Sequence, residues 1–229
     1  MALFSLLPYQ SLLPVLLTKN NNYKSSYPLL KQNETNPNQT WRNRRKQKRH
    51  HARLVTRTSN HKWKKQAKIL AERLKDIKID IIFTSDLKRF VETAKEIAKY
   101  HSKTKFMKEK LLRKMGKGIF EGKKRNEINW ESVPGDFFVK KAEGGESFTG
   151  LWDRLKKFYS YLLKTYDVET ILIVTHGGSL CFLQGLILRK DMKESIKIKN
   201  QKNTAMSEFE INKKGNYKII CLDCDKHQK

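Results

Sequence analysis

Apolar positions in residues 66–229 recur with periods that predict alternating helices and strands. Residues 67–74 place apolar side chains at helical spacing, at Ala67, Leu70, Ala71 and Leu74. Two later segments repeat that spacing: Val91, Ala94, Ile97 and Ala98, and then Phe148, Leu151, Leu155, Phe158 and Leu162. Short β-branched runs at 79–84 and 171–175 predict buried strands.

Two alternating segments near the carboxyl end predict a β-hairpin. They are residues 207–211 and 217–222, and they flank the turn signal Lys214-Gly215-Asn216. Strands that alternate with helices indicate an α/β fold. We expect a three-layer sandwich in which helices cover both faces of a mainly parallel central sheet.

Residues 1–65 lack such periods and carry a strong positive charge. They hold 14 Lys and Arg against one acidic residue, which is half of the chain's net charge of +26. Seven of these basic residues lie in the run 42–53. We therefore expect residues 1–65 to form an aberrant basic, disordered segment before a folded domain at 66–229. Such a charge also suits a nucleic-acid partner, which we treat as the less favoured alternative.

Other features of the sequence restrict the class of protein. The apolar stretch 2–17 is too short to span a bilayer and is interrupted by Pro8 and Pro14, so we expect no membrane association. Three cysteines are too few for a disulfide scaffold and favour a reducing compartment, here the cytoplasm. Cys221 and Cys224 form one CxxC without a second pair, so we expect no metal site.

Three segments carry candidate chemistry, and each lies at the end of a strand or the start of a helix. They are Thr84-Ser85-Asp86-Leu87-Lys88-Arg89 with Glu92-Thr93-Ala94, Gly144-Gly145-Glu146-Ser147, and Val174-Thr175-His176-Gly177-Gly178. Gly118-Ile119-Phe120-Glu121-Gly122 and Asn203-Thr204 complete the set. In this order, the segments resemble the histidine phosphatase superfamily, the phosphoglycerate-mutase-like enzymes.

The resemblance implies a phosphate site without metal or cofactor. A phosphohistidine-forming histidine is assisted by a second histidine, two arginines and a glutamic acid that protonates the leaving group. The resemblance makes His176 the second histidine and Arg89 the second arginine. It assigns substrate binding to Ser85, Gly177, Gly178 and Asn203. The chemistry agrees, because Arg offers a planar fork of donors to phosphate and ligands bind beyond the carboxyl ends of strands.

The chain departs from the family's pattern at two points. The family's first strand ends in Arg-His-Gly-Glu, which does not occur here. We therefore expect the domain to lack its first strand, leaving either a gap or residues 53–57 as a poor replacement. The second departure is Leu112-Arg113-Lys114, where the family has Glu as the acid. A lysine does not donate a proton in the same way unless its pKa is strongly lowered.

A frameshift explains the missing motif. When residues 39–51 are back-translated with A-rich codons and read from the second base, they give Arg-His-Gly-Glu, with the histidine overlapping Thr40. A further hidden glycine overlaps Trp63, 23 positions later, as the family's spacing implies. Loss of one adenine nucleotide from the codons of Lys64-Lys65 would mean that residues 33–65 are the gene read out of frame. Residues 1–32 would then be translated from DNA upstream of the gene. The alternative is a genuine basic arm fused to a degenerate domain.

We therefore expect a phosphomonoesterase of this family that acts on a small phosphorylated metabolite. The chain as its sequence stands, which we call the literal chain, is expected to be inactive. The alternatives are mutase-type phosphotransfer and a pseudophosphatase that only binds phosphorylated ligands. Counted from a hidden start near residue 33, the intended protein has about 197 residues, a length that resembles the small phosphatases more than the longer mutases. The sequence does not decide the oligomeric state.

Overall fold

The computed structural model describes residues 12–18, 55–199 and 201–228, with the backbone alone for 12–18 and 55–61. Its strands are β1 (Leu12–Thr18), β2 (Ile81–Ser85), β3 (Lys105–Glu109), β4 (Thr170–His176), β5 (Met206–Ile211) and β6 (Tyr217–Cys224). Its helices are α1 (Val55–Leu74), α2 (Lys88–Ala98), α3 (Phe148–Thr165), α4 (Gly177–Ile187) and α5 (Met192–Ser195).

The six strands form one sheet in the order β3-β2-β4-β1-β5-β6. Three ladders are parallel: β2 with β3, β2 with β4, and β1 with β5. Two are antiparallel: β1 with β4, and the hairpin of β5 and β6. The α/β class, the mainly parallel sheet and the carboxyl-terminal hairpin are thus confirmed.

Helices cover both faces of the sheet. Successive side chains of a strand point to opposite faces, so the apolar central strands present an apolar surface on each side. Phe83 and Ile173 face the layer formed by α3 and α4, where Phe158 and Leu180 are fully buried. On the other face, a second cluster joins the central strands to α1 and α2; its members include Ile82, Leu172, Leu70, Leu74, Phe90 and Ile97. The two apolar layers hold the carboxyl ends of β2 and β4 side by side.

The strand β1 fills the position between β4 and β5, which corrects the expectation of a gap at the first strand. The replacement is Leu12–Thr18 and not residues 53–57, since residues 55–57 belong to α1. Leu12 pairs with His176 and Thr18 pairs with Thr170, so β1 runs antiparallel to β4. The carboxyl end of β1 therefore lies at the edge of the sheet opposite to His176.

Several element boundaries differ from the sequence expectation. The helix α1 begins at Val55, eleven residues before the domain boundary expected at 66. The sequence reading did not predict β3, which is a short edge strand with exposed lysines, or α4. The helix α4 is apolar on nearly all sides and buried, so it lacks the amphipathic period that marks a surface helix. The rest of residues 1–54, where we expected disorder, lies outside the described residues.

The cysteines differ from the expectation of reduced thiols. Cys221 and Cys224 are joined by a disulfide at the end of β6, while Cys181 has a buried thiol that donates to the Ile198 carbonyl at 3.6 Å. A link over three residues closes a very small loop, so it is not the scaffold of a disulfide-rich domain. None of the helices in the described part of the chain combines the length and the apolar character needed to cross a bilayer.

Candidate active site

The site predicted from the sequence lies at the carboxyl edge of the parallel strands. His176 is the last residue of β4 and Ser85 the last of β2, and these two strands are adjacent and parallel. Arg89 follows in the first turn of α2, just past the end of β2. Parallel strands end at one edge of a sheet, so the fold brings the three residues together from distant parts of the chain.

The ring of Phe90 connects Arg89 and His176. Its centroid lies 3.7 Å from the centroid of the His176 ring, and the Arg89 guanidinium carbon lies 5.5 Å from the Phe90 centroid. His176 retains only 4% of its surface, while Arg89 is half-buried. The aromatic ring therefore limits the movement of the imidazole and supports the guanidinium beside it.

His176 is uncharged at neutral pH. Burial, together with the positive charges of Arg89, Lys114 and Arg154, lowers the pKa of its imidazole to about 3, and Asp86 opposes this shift. Three cations thus act on one histidine from three different segments of the chain. Such a concentration of positive charge around one buried imidazole favours an anionic ligand.

The buried hydroxyl of Ser85 holds the imidazole of His176. Ser85 Oγ lies 3.0 Å from His176 Nε2, and Ser85 has no exposed surface. The resemblance assigned Ser85 to the ligand, but the structure places its hydroxyl on the histidine. Gly177 and Gly178 begin α4 directly after His176, so the positive end of this helix dipole points to the same edge.

Asn203 belongs to the loop that enters β5. Ser207 of β5 pairs with Val15 of β1, whose first residue pairs with His176. This register places Asn203, four residues before Ser207, at the edge of the sheet that carries His176. Thr204 adopts a left-handed backbone conformation with a φ of 57°, which turns the chain sharply into β5.

Residues 111–114 form a segment that is hydrogen-bonded to β4, to α4, to α3 and to the turn after β2, and we call it the Leu111–Lys114 shelf. Thr175 Oγ1 at the end of β4 donates to the Leu112 carbonyl at 2.8 Å, and Ser179 Oγ in α4 donates to the Arg113 carbonyl at 2.9 Å. The shelf is therefore fixed from the strand and the helix on either side of His176.

Two arginines complete the attachment of the shelf. Arg113 binds both carboxylate oxygens of Asp86, at 2.6 and 2.5 Å, and so connects the shelf to the turn between β2 and α2. Arg154 of α3 binds Glu146 at 2.7 and 2.9 Å and donates to the carbonyls of Leu111, Arg113 and Lys114. Hydrogen bonding by Arg113 lowers the pKa of Asp86, which keeps that carboxylate charged.

The shelf presents Lys114 to the site, and its ammonium is held by Glu121. Lys114 Nζ lies 2.6 and 2.7 Å from the two carboxylate oxygens of Glu121, which also accepts the backbone N–H of Lys117. Burial opposes the ionisation of Glu121, but Lys114 and the Lys117 N–H outweigh it and lower its pKa. At the position where the family has an acid, the chain therefore has an ion pair.

A close approach of two glycine segments positions both Glu121 and Glu146. The Ile119 N–H bonds the Glu143 carbonyl, and the Glu146 N–H bonds the Gly116 carbonyl. Gly118 has a φ of +55°, and a Cβ there would lie 1.9 Å from the Glu143 oxygen. Only glycine fits at 118, so this contact explains one of the glycines of the resemblance.

Sequence reasoning missed most of this supporting network. It found His176, Arg89 and Lys114 but gave no role to Arg154, Glu146 or Asp86. Spacing alone does not identify Arg154, because it lies on a helix where a charged residue every few positions is ordinary. In the described ranges, no group of three or more His, Cys, Asp or Glu side chains forms a metal-binding cluster.

Comparison with known proteins agrees with the arrangement of fold and site. Residues 39–221 match the family model described as histidine phosphatase superfamily (branch 1). Phosphoserine phosphatase 1 of Hydrogenobacter thermophilus is 32% identical over 142 residues, which cover 57% of this chain and 66% of that protein. Phosphoglycerate mutase-like protein 4 of Arabidopsis thaliana is 33% identical over 128 residues, 52% of this chain and 55% of that protein.

Solved structures show the same fold. Bacillus stearothermophilus YhfR has a TM-score of 0.64 at 18% identity and covers 95% of this chain and 100% of its own. Mycobacterial glucosyl-3-phosphoglycerate phosphatase with VO3 has a TM-score of 0.60 at 17% identity, covering 94% and 100%. Because the family model spans well over half of it, the chain belongs to the histidine phosphatase superfamily. It spans 52% to 66% of the length of the curated relatives that it matches.

Proposed function

We propose that the chain derives from a phosphomonoesterase that acts through a phosphohistidine, and that as it stands it binds small phosphate monoesters without hydrolysing them. The observation that carries this proposal is the contact of both Arg89 and His176 with the Phe90 ring, at the positive end of α4. A guanidinium, a neutral imidazole and a helix start form a set of donors suited to a phosphoryl group.

The reversed direction of β1 supports the loss of turnover. The family's nucleophile follows a strand that ends beside the second histidine, whereas β1 ends at Thr18 beside Thr170. Among the described side chains, the other histidines lie elsewhere: His101 follows the end of α2, and His227 lines a groove beside α1 together with Lys68 and Tyr100. In this part of the chain, no second histidine is hydrogen-bonded to His176 or Ser85, in keeping with a site that lacks the family's nucleophile.

Lys114 supports the same conclusion for the leaving group. Its ammonium is paired with Glu121 on a shelf fixed by seven hydrogen bonds from Thr175, Ser179, Arg154 and Arg113. The Lys114 Nζ donors are bound by the Glu121 carboxylate, so the position offers a leaving group no carboxylic acid. The site is therefore built to hold a phosphate ester and not to cleave it.

A frameshift remains our account of the first 65 residues. The family match begins at Gln39, the residue whose codon the hidden arginine of Arg-His-Gly-Glu overlaps. Under this account, residues 1–65 are an aberrant segment and residues 66–229 are the domain proper; most of residues 1–54 lie outside the described residues. A basic arm that evolved as such is the alternative. Resequencing the DNA across codons 33–66 decides between them.

For the ligand, we propose a small phosphorylated metabolite in the cytoplasm. The relatives are called a phosphoserine phosphatase and a phosphoglycerate mutase-like protein, and a structural neighbour is called a glucosyl-3-phosphoglycerate phosphatase. Each of these names joins a phosphate to a small polar molecule. Mutase-type phosphotransfer is the second candidate for the ancestral reaction, because the Arabidopsis relative carries that name.

Titration calorimetry with inorganic phosphate at physiological ionic strength tests the proposal. We expect Arg89→Ala or His176→Ala to weaken binding at least tenfold, as loss of a charge-assisted hydrogen bond does. Arg189→Ala is the matched control, because Arg189 follows the far end of α4, where it bonds Asn216. If Arg189→Ala weakens binding as much as Arg89→Ala, the binding reflects net charge alone. Strong DNA binding lost on replacing the basic residues of 42–53 with Gln would favour a nucleic-acid function.

A further inference from the structure

We propose that Ser85 is a positioning residue for His176, whose hydroxyl donates to Nε2 and keeps the ring proton on Nδ1, where a phosphoryl oxygen can accept it. The inference rests on the proposed phosphate site and assigns Ser85 a role toward the histidine and not toward the ligand. It begins from one contact: Ser85 Oγ lies 3.0 Å from His176 Nε2, and both residues are almost completely buried.

A neutral imidazole has one donor nitrogen and one acceptor nitrogen. Burial and the surrounding cations keep His176 neutral, with a pKa of about 3, so both nitrogens are never donors at physiological pH. An anionic oxygen offers only lone pairs, so the nitrogen that meets it must carry the proton. Nε2 is already engaged by Ser85, and in the described part of the chain Nδ1 of His176 has no hydrogen-bond partner. Nδ1 is therefore the nitrogen available to the ligand.

This division of roles requires Ser85 to donate. A serine hydroxyl rotates and either donates or accepts; when Ser85 donates, Nε2 is the acceptor and the ring proton stays on Nδ1, where the ligand needs it. The hydroxyl of Ser85 forms no other described hydrogen bond, which leaves its proton free for Nε2. The Phe90 ring, 3.7 Å away between centroids, prevents the imidazole from turning to exchange its two nitrogens.

The fold fixes the geometry before any ligand binds. Ser85 ends β2 and His176 ends β4, and the ladder between these strands pairs Thr84 with Val174. Both side chains therefore start from backbone positions set by the central sheet, without loops between them. Such a rigid origin suits a residue that orients another, because a displacement of the ring by even 1 Å would misdirect its N–H.

Two-bond ¹H–¹⁵N NMR spectra of the full chain labelled with ¹⁵N-histidine test the inference, with His176→Ala used to assign the signals. We expect the wild-type His176 to show the Nδ1–H tautomer at neutral pH, with or without inorganic phosphate. Ser85→Ala should shift the ring towards the Nε2–H tautomer and weaken phosphate binding about tenfold. Ser85→Thr should restore both, because it keeps the hydroxyl.

Ser179→Ala is the matched control, since Ser179 is also buried at the site but donates to the Arg113 carbonyl. It should leave the tautomer unchanged. An Nε2–H tautomer in the wild-type chain overturns the inference without any variant, and so does an Nδ1–H tautomer that persists in Ser85→Ala. A wild-type chain with the Nδ1–H tautomer that does not bind phosphate supports the positioning role and contradicts the proposed function, so the two failures are distinguishable.

Discussion

Leu12, the first residue of β1, pairs with His176, the last residue of β4, so the strand beside the site's histidine runs away from the site. The pairing completes the sheet without supplying a strand end at the position where the family keeps its nucleophile. Fold and chemistry are thus separated in this chain. A strand of suitable length fills the slot in the core, but it does not bring a reactive group to His176.

The orientation of β1 predicts that restoring the frame stabilises the protein. β1 contains Pro14, which pairs with Val174 and has no backbone N–H to give to the sheet. A frame-restored protein that starts at the hidden methionine would place an uninterrupted parallel strand there. An unsatisfied buried backbone group costs about 1–3 kcal/mol, so we expect a melting temperature at least several degrees higher by calorimetry. Equal melting temperatures would show that the replaced strand makes no difference to stability.

The ion pair between Lys114 and Glu121 predicts a gain of phosphate affinity on removing the acid. Glu121→Gln frees the ammonium, which acts electrostatically on His176 and is therefore close to the proposed ligand. An ion pair this exposed contributes at most about 1 kcal/mol, so we expect phosphate to bind about two- to fivefold more tightly.

The control for this effect is Glu143→Gln, which removes the same charge from an exposed neighbouring residue without touching Lys114. A gain common to both variants would be an effect of net charge. No gain in Glu121→Gln, measured by titration calorimetry, would mean that Lys114 does not reach the ligand.

An acid reintroduced at position 114 should increase the rate of hydrolysis selectively for esters with poor leaving groups. In the frame-restored protein, Lys114→Glu places a carboxyl beside Glu121, and two adjacent carboxylates raise the pKa of one of them. General acid catalysis then accelerates the hydrolysis of an alkyl phosphate about a hundredfold. p-Nitrophenyl phosphate needs little protonation of its leaving group, so its kcat/KM should change far less. Equal changes for the two esters would contradict an acid role, and Lys117→Glu serves as the charge-matched control.

A buried acid remote from the site predicts how stability depends on pH. Burial raises the pKa of Glu208 to about 7, against the opposing charge of Arg73, and Glu208 has no exposed surface. The folded chain therefore keeps a proton that the unfolded chain loses above about pH 4.3. The stability contributed by this proton is complete below that pH and is lost as the pH rises to about 7.

Glu208→Gln removes this dependence. We expect the variant to be more stable than the wild type by roughly 3 kcal/mol at pH 8 and nearly equal to it at pH 4, in urea unfolding monitored by circular dichroism. Glu210→Gln, a neighbouring and less buried acid on β5, is the control. A wild type whose stability advantage over the variant grows with pH would show that the carboxylate is paired when charged.

The sequence predicted the parts of this fold that local periodicity encodes. The amphipathic helices α2 and α3, the apolar strands β2 and β4 and the terminal hairpin all follow from spacing, because their buried faces repeat at 3.6 or 2 residues. The helix α4 was missed because it is buried on nearly all sides, and β3 because an exposed edge strand carries few apolar residues. The occupant of the central slot was not predictable from propensity, since tertiary pairing decided it.

The chemistry of the site divides in the same way. His176 and Arg89 are recognisable because they follow strands within distinctive motifs. Ser85 and His176, which are hydrogen-bonded to each other, are 91 positions apart in the sequence. Arg154 and the carbonyls that it binds in the Leu111–Lys114 shelf are about 40 positions apart. Only the register of the sheet and the packing of α3 determine such contacts. The sequence identified Ser85 as a site residue but not its contact with His176. This contact changes its proposed role from binding the ligand to orienting the histidine.

The central claim is tested most directly by a comparison of two proteins, the chain as its sequence stands (the literal chain) and the frame-restored protein. Hydrolysis of p-nitrophenyl phosphate is measured for both at equal concentration. This ester makes the missing acid nearly irrelevant, so its turnover reports on the nucleophile. We predict no measurable turnover by the literal chain and clear turnover by the frame-restored protein, with an acid-labile phosphoryl group trapped on histidine. Turnover by the literal chain that His176→Ala abolishes would contradict the account, because it would show that another residue of this chain has taken the place of the nucleophile.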